Sequence, residues 1–238
     1  MARKKIVFVI VEGPSDDTAL SLLLSQIYNE QTVHVHIMHR DITTDKGITS
    51  SNIITKVCDE IKQYAVSTHL KSSHFQEIIH LVDMDGAYIP PENVVDDQDC
   101  AEPCYSVTEI LTCNKSGIEL RNQQKKLNLD KLCSCKKIWG VPYRVFYMSC
   151  NLDHVLYNKL NSTDAEKEGD AFNFARQYKG KTQEFVQFIS NSNFSVMDGY
   201  QESWKYIKQG LHSLERHTNF GLCFTEKAST EDTTEDRS

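Results

Sequence analysis

Ile6-Val7-Phe8-Val9-Ile10-Val11-Glu12-Gly13-Pro14-Ser15-Asp16 and, later in the chain, Ile78-Ile79-His80-Leu81-Val82-Asp83-Met84-Asp85-Gly86 carry the reading of the fold. Each sets carboxylates at the end of an apolar run. Short runs of β-branched and aromatic residues without helical spacing predict buried strands of a parallel sheet. Both acidic groups then fall at the carboxyl ends of strands, the edge at which open α/β sheets bind ligands. Residues i and i+2 of a strand point the same way, about 6.7 Å apart along the chain, so Asp83 and Asp85 share a face. The turn at Gly86 lets both carboxylates swing toward one cation while Glu12 approaches from the neighbouring strand. Three clustered carboxylates repel one another unless a cation neutralises them, and hard oxygen donors suit Mg²⁺ or Mn²⁺. A second ion would need a further carboxylate, for which Asp16 is the first candidate and Asp153 the second. Asp16 and Asp17 read equally well as ordinary partners of a helix dipole.

Working outward, Pro14 sits where a first helical residue tolerates proline, opening a helix that runs to about Tyr28. Residues 32–38 alternate Val33, Val35 and Ile37 with His34 and His36, an edge or half-buried strand. A helix is expected over 51–67, where Ile53, Ile54, Val57, Ile61 and Tyr64 recur at helical spacing. The order strand, helix, strand, helix, strand implies a parallel sheet with crossover helices. Residues 88–138 break the rhythm with Pro90-Pro91, Pro103 and five cysteines. They read as an insertion holding one helix over 117–129. A fourth strand follows at 143–148, then helices over 152–160, 171–189 and 201–216, whose aromatic residues suggest packing over the sheet. The expected fold is α/β: about four parallel strands flanked by helices, with a core over 1–160, C-terminal helices over 161–225 and a disordered tail over 226–238.

Net charge is −7, which argues against a protein that simply coats nucleic acid. Locally the balance reverses. Arg121, Lys125, Lys126, Lys131, Lys136 and Lys137 face the single acid Asp130 in that stretch. A basic helix of this kind is either a solvated face or a track for phosphates. His154 and Lys159, just past the fourth strand, are weaker candidates for phosphate contact. Eight cysteines in a chain of this length with no visible secretory leader are expected as free thiols. Cys100, Cys104, Cys113, Cys133 and Cys135 fit no familiar pair of zinc knuckles, which argues against structural Zn²⁺. No apolar stretch is long enough to span a bilayer, so the reading is no membrane and a cytoplasmic location.

Glu12-Gly13 closing the first strand, Asp16 four positions on, and Asp83-x-Asp85-Gly86 closing a later strand together resemble the TOPRIM domain. The resemblance covers roughly residues 4–160, though its specific part is only about ten residues. TOPRIM domains occur in topoisomerases, bacterial primases, a ribosomal-RNA maturation nuclease and the overcoming-lysogenization-defect (OLD) nucleases. The resemblance implies a Rossmann-like sheet and metal-dependent chemistry on phosphodiesters. It implies Glu12 as metal ligand or proton-transfer group, Asp83 and Asp85 as metal ligands, and Asp16 as the acid that the OLD branch adds. No G-x-x-x-x-G-K-[ST] loop is present, so any ATPase must be a separate partner. What remains resembles the stand-alone TOPRIM nucleases, several of which serve in bacterial defence against phage.

The leading expectation is therefore a Mg²⁺- or Mn²⁺-dependent endonuclease acting on DNA or RNA, tRNA included. Nucleotidyl transfer uses similar metal chemistry and stays as an alternative. So does a partner-held sensor or effector subunit that is silent alone. A phospho-acceptor receiver domain also groups acids at strand ends, but it places an acidic pair after the first strand and is about half this length. The residues do not distinguish DNA from RNA, nor do they fix homo-oligomerisation or the partner.

Overall fold

The computed structural model describes residues 4–28 and 33–225. Thr32 and the segment 226–238, on which the expected strand start and disordered tail fall, lie outside these residues.

The two apolar runs form the paired inner strands of one sheet. In chain order the elements are β1 (Lys5–Val11), α1 (Pro14–Ile27), β2 (Val33–His39), α2 (Ile53–Ser67) and β3 (Phe75–Asp83). There follow β4 (Val94–Asp96), β5 (Cys104–Tyr105), β6 (Ile110–Thr112), α3 (Lys115–Ser134), β7 (Lys137–Ile138) and β8 (Val141–Met148). The chain continues through α4 (Leu152–Tyr157), α5 (Asp164–Tyr178), α6 (Thr182–Asn191) and α7 (Tyr200–Ile207). The main sheet has the order β2-β1-β3-β8-β7. Its first four strands are mutually parallel and β7 adds an antiparallel edge. The protein is thus α/β with a mixed sheet flanked by helices.

Period-2 alternation divides the strands between two layers. Val7, Val9 and Val11 of β1 pack with Leu20, Leu23 and Leu24 of α1 and with Phe174, Phe185 and Ile189 of α5 and α6. Ile6, Phe8 and Ile10 pack on the other face with Val57 and Ile61 of α2, Leu129 and Leu132 of α3, and Trp204 and Ile207 of α7. The C-terminal helices therefore close both faces of the sheet, as their aromatic content suggested.

The insertion is more ordered than expected. Beyond a helix longer at both ends than 117–129, it builds a three-stranded sheet of order β4-β6-β5. This sheet has its own small core of Ile89, Val94, Ile110, Ile118, Cys150 and Leu214. Three helix expectations need correction. The 171–189 pattern is two helices, broken where Gly180 takes a φ of 72°. The 201–216 pattern ends at Ile207, and the residues beyond it form turns around Gly210, at a φ of 50°. Helix α4 likewise stops at Tyr157, because Asn158 adopts the left-handed conformation.

Candidate functional site

At the carboxyl edge of β1 the backbone turns into α1 within two residues. Gly13 is the N-cap and Pro14 the first helical residue. Asp16 Oδ2 accepts hydrogen bonds from the backbone N–H groups of Glu12 (3.1 Å) and Gly13 (2.9 Å). Asp16 therefore locks the strand-to-helix turn that aims Glu12, a more specific role than the helix-dipole partner weighed from sequence, and also lines the site. The neighbouring edge is tied in by Asp83 N–H, which donates to Glu12 Oε1 at 2.9 Å. Asp83 Oδ1 in turn accepts from Leu152 N–H at 3.0 Å, at the start of α4. Past Asp83 the chain stays attached to the end of β8, with Met84 N–H bonded to Met148 O and Asp85 N–H to Cys150 O. It then reverses through consecutive left-handed residues, Asp85 (φ 47°) and Gly86 (φ 66°).

These turns open onto a cleft of about 680 Å³ lined by Glu12, Asp16, Asp41, Asp83, Asp85, Glu102 and Asp153, with Tyr105, Asn151 and Lys167 among the other lining residues. All five carboxylates proposed from sequence thus meet in one place. Burial is the main force on the protonation of Glu12, Asp83, Asp16 and Asp153. Glu12 is held well above the ordinary carboxylate range by burial, which Lys125 opposes and Asp41 and Asp85 reinforce. Asp83 is likewise held well above it by burial, with repulsion from Glu12, Asp16 and Asp85 added. Burial also raises Asp16 against the pull of the Gly13 and Glu12 N–H groups. Asp153 is pushed up to about 6 by burial, with Lys167 opposing. Carboxyls so desolvated hold protons unless a cation takes their place.

One cation is supplied by the chain itself. Lys125 is 0% exposed. Its ammonium hydrogen-bonds Asp85 Oδ2 and lies 3.4 Å from Glu12 Oε1. Burial alone would push the ammonium down, but Asp85, Glu12, Asp41 and Asp83 overrule it and hold it well above its ordinary value. Asp41, absent from the sequence reading, is fixed by Thr43 N–H (2.9 Å), the Thr43 hydroxyl (2.6 Å) and the Thr44 hydroxyl. Burial raises it, and Lys125 together with these bonds brings it below the usual range.

For two residues of the basic stretch proposed as a phosphate track the reading is corrected. Arg121 and Lys125 turn inward on α3. Arg121 donates to Asp85 O (2.8 Å), Asn122 Oδ1 (2.7 Å) and the Tyr105 hydroxyl (2.6 Å). Lys126 lies over the Tyr88 ring. Lys131, Lys136 and Lys137 are exposed, but Lys137 pairs with Pro142 at the amino-terminal end of β8, while Asp83 pairs with Met148 at the other end. Six residues of strand put Lys137 about 20 Å from the acids. Two weaker candidates also fall away. His154 is buried at 3% exposure, its imidazole held down to about 4 by burial with Arg216 adding to it. Lys159 pairs with Asp170 at 2.5 Å. Neither lines the cleft.

The donor set fits a hard divalent cation. It is carboxylate oxygen throughout. Among the described residues, no hydrogen bond engages Glu12 Oε2, Asp83 Oδ2 or Asp85 Oδ1. As the side chains stand, however, no three His, Cys, Asp or Glu residues among those described are placed to hold one ion together. Lys125 instead joins Glu12 and Asp85. The eight cysteines are free thiols, and no described helix is long and apolar enough to cross a membrane.

Fold and site together define an α/β protein whose sheet edge gathers acids around one internal lysine. Comparison with known proteins adds no relative: no family model, no curated protein and no solved structure matches the chain.

Proposed function

We propose that this protein is a TOPRIM-type, metal-dependent nuclease that hydrolyses phosphodiester bonds in DNA or RNA. Glu12, Asp83 and Asp85 would hold Mg²⁺ or Mn²⁺, with Asp16 and Asp153 beside them. The observation that carries this reading is the meeting, in one cleft, of Glu12 from β1 with Asp83 and Asp85 from the end of β3. A bound divalent ion would polarise a phosphoryl oxygen, lower the pKa of an attacking water and stabilise the leaving oxygen.

The chain's own residues prepare that chemistry. Asp83 N–H and Leu152 N–H each fix one carboxylate oxygen, so Glu12 and Asp83 are oriented before substrate arrives. Asp16 holds the turn beneath Glu12. Lys167, on the cleft wall, offers a phosphate contact in an otherwise acidic pocket. A role in anti-phage defence and control by a separate ATPase rest on the family resemblance alone. The lysine joining Glu12 and Asp85 supports a second reading, an effector subunit that is silent until a partner rearranges this edge.

The test is incubation of the purified protein with plasmid, single-stranded DNA and total tRNA in Mg²⁺ or Mn²⁺, beside EDTA and the Glu12→Gln and Asp83→Asn variants. Cleavage that EDTA and both substitutions abolish is the expected result. Cleavage that survives both substitutions would remove the proposal.

A further inference from the structure

We propose that Lys125 is a resident cation of the site, standing where a second metal ion would otherwise be required, so that the cleft takes a single divalent ion. This rests on the metal-dependent reading above and specifies it. In two-ion sites the ions lie roughly 3.5–4 Å apart and share carboxylates. Here an ammonium already joins carboxylates from two strands: it hydrogen-bonds Asp85, beyond β3, and lies 3.4 Å from Glu12 Oε1, at the end of β1.

Nor can Lys125 readily withdraw. It projects from the middle of the 20-residue helix α3, whose inner face is tied to the loops around the site. Asn122 donates to Gly86 O (3.5 Å), Gln124 to Ile48 O (3.0 Å) and Asn128 to Thr43 O (2.8 Å). With no exposed surface, an ammonium displaced by a metal ion would stay buried without its partners, a strongly unfavourable state. Metal must therefore add beside Lys125 and not replace it. Asp41 reinforces the arrangement from the β2 side. Both of its oxygens are engaged by Thr43 and Thr44, so it acts on Lys125 as a fixed charge. The oxygens of the three proposed ligands left for an ion are Glu12 Oε2, Asp83 Oδ2 and Asp85 Oδ1, with the Asp153 carboxylate also on the cleft lining.

The experiment counts Mn²⁺ bound per full-length chain, by electron paramagnetic resonance of free Mn²⁺ and by calorimetry, and takes as site-bound the ions lost in Asp83→Asn. One site ion is expected in the wild type and in Lys125→Arg, which keeps the positive charge. Two are expected in Lys125→Met, where the junction between Glu12 and Asp85 falls vacant. Two site ions in the wild type would overturn the role of Lys125 while leaving the metal-dependent reading intact. None in the wild type would overturn both. One ion of unchanged affinity in Lys125→Met would also overturn it. Should Lys125→Met fail to fold, the wild-type and Lys125→Arg counts decide.

Discussion

Gly86 takes its left-handed φ of 66° immediately after Asp85, and a Cβ built there would lie 2.7 Å from Leu214 Cδ2 and 3.0 Å from Ile110 Cδ1. Leu214 and Ile110 are both fully buried, so neither can yield freely. Gly86→Ala is expected to cost about 1–3 kcal/mol through backbone strain and crowding, measured by urea unfolding. Unchanged stability would show that the turn holding Asp85 is not set by Gly86. Three residues before Asp83, β3 carries a buried titratable group. His80 is fully buried with Nδ1 2.8 Å from the Tyr143 hydroxyl. Burial lowers its pKa to about 3, Asp41 opposing and Lys125 adding. The unfolded imidazole titrates near 6.5. Between these values the unfolded chain binds the proton and the native state does not, so this group removes stability as pH falls below about 6.5. Glu12 and Asp83, raised in the native state, act in the opposite sense, which makes the comparison with His80→Phe the useful one. Relative to that variant, the wild type is expected to lose up to ~1.4 kcal/mol per pH unit on acidification. Parallel pH profiles from urea unfolding would contradict a buried neutral imidazole.

Helix α3 shows where sequence reading succeeds and where it stops. Strands β1 and β3 were legible because long apolar runs end abruptly in acid, and helices α1 and α2 because their buried positions recur at helical spacing. The inner face of α3 carried such a signal only at its ends, through Ile118, Leu129 and Leu132, and not in the middle. Asn122, Lys125 and Asn128 are buried, and a buried face made of amides and an ammonium has the same pattern as a solvated one. Only the acids that meet Lys125 in three dimensions distinguish the two. Asp41 escaped notice because it lies two residues beyond β2 in a polar loop, not at the abrupt end of an apolar run. Strands β4, β5 and β6, of two or three residues each, are too short for period-2 alternation to register. The corrected placement of the lysines has a consequence at this scale. Joint replacement of Lys131, Lys136 and Lys137 by glutamine is expected to leave cleavage within about twofold, whereas Lys167→Gln is expected to weaken substrate binding about tenfold, roughly one charge-assisted phosphate contact. Titration of labelled oligonucleotides at fixed salt separates the two, and the reverse ranking would return the track to the surface of α3.

Across the whole molecule, the sheet acts as a rigid frame that brings loops from distant parts of the chain to one edge. Its two faces are closed by different helices, so the β1–α1 turn, the β3 exit and the start of α4 are all positioned by packed strands. The acids gathered there are too buried to ionise comfortably together, and Lys125 offsets only part of their charge. From that imbalance follows the proposal that the cleft takes a divalent cation, which holds for the nuclease reading and for the partner-held one alike. Thermal unfolding in EDTA and in excess Mn²⁺, for the wild type and Asp83→Asn, tests it without depending on a substrate. An ion at a hundred times its dissociation constant adds about 2.7 kcal/mol, which for a chain of this size is roughly 5–10 °C. A rise of that order is expected in the wild type and little or none in Asp83→Asn. Equal midpoints in EDTA and Mn²⁺ for the wild type would contradict it.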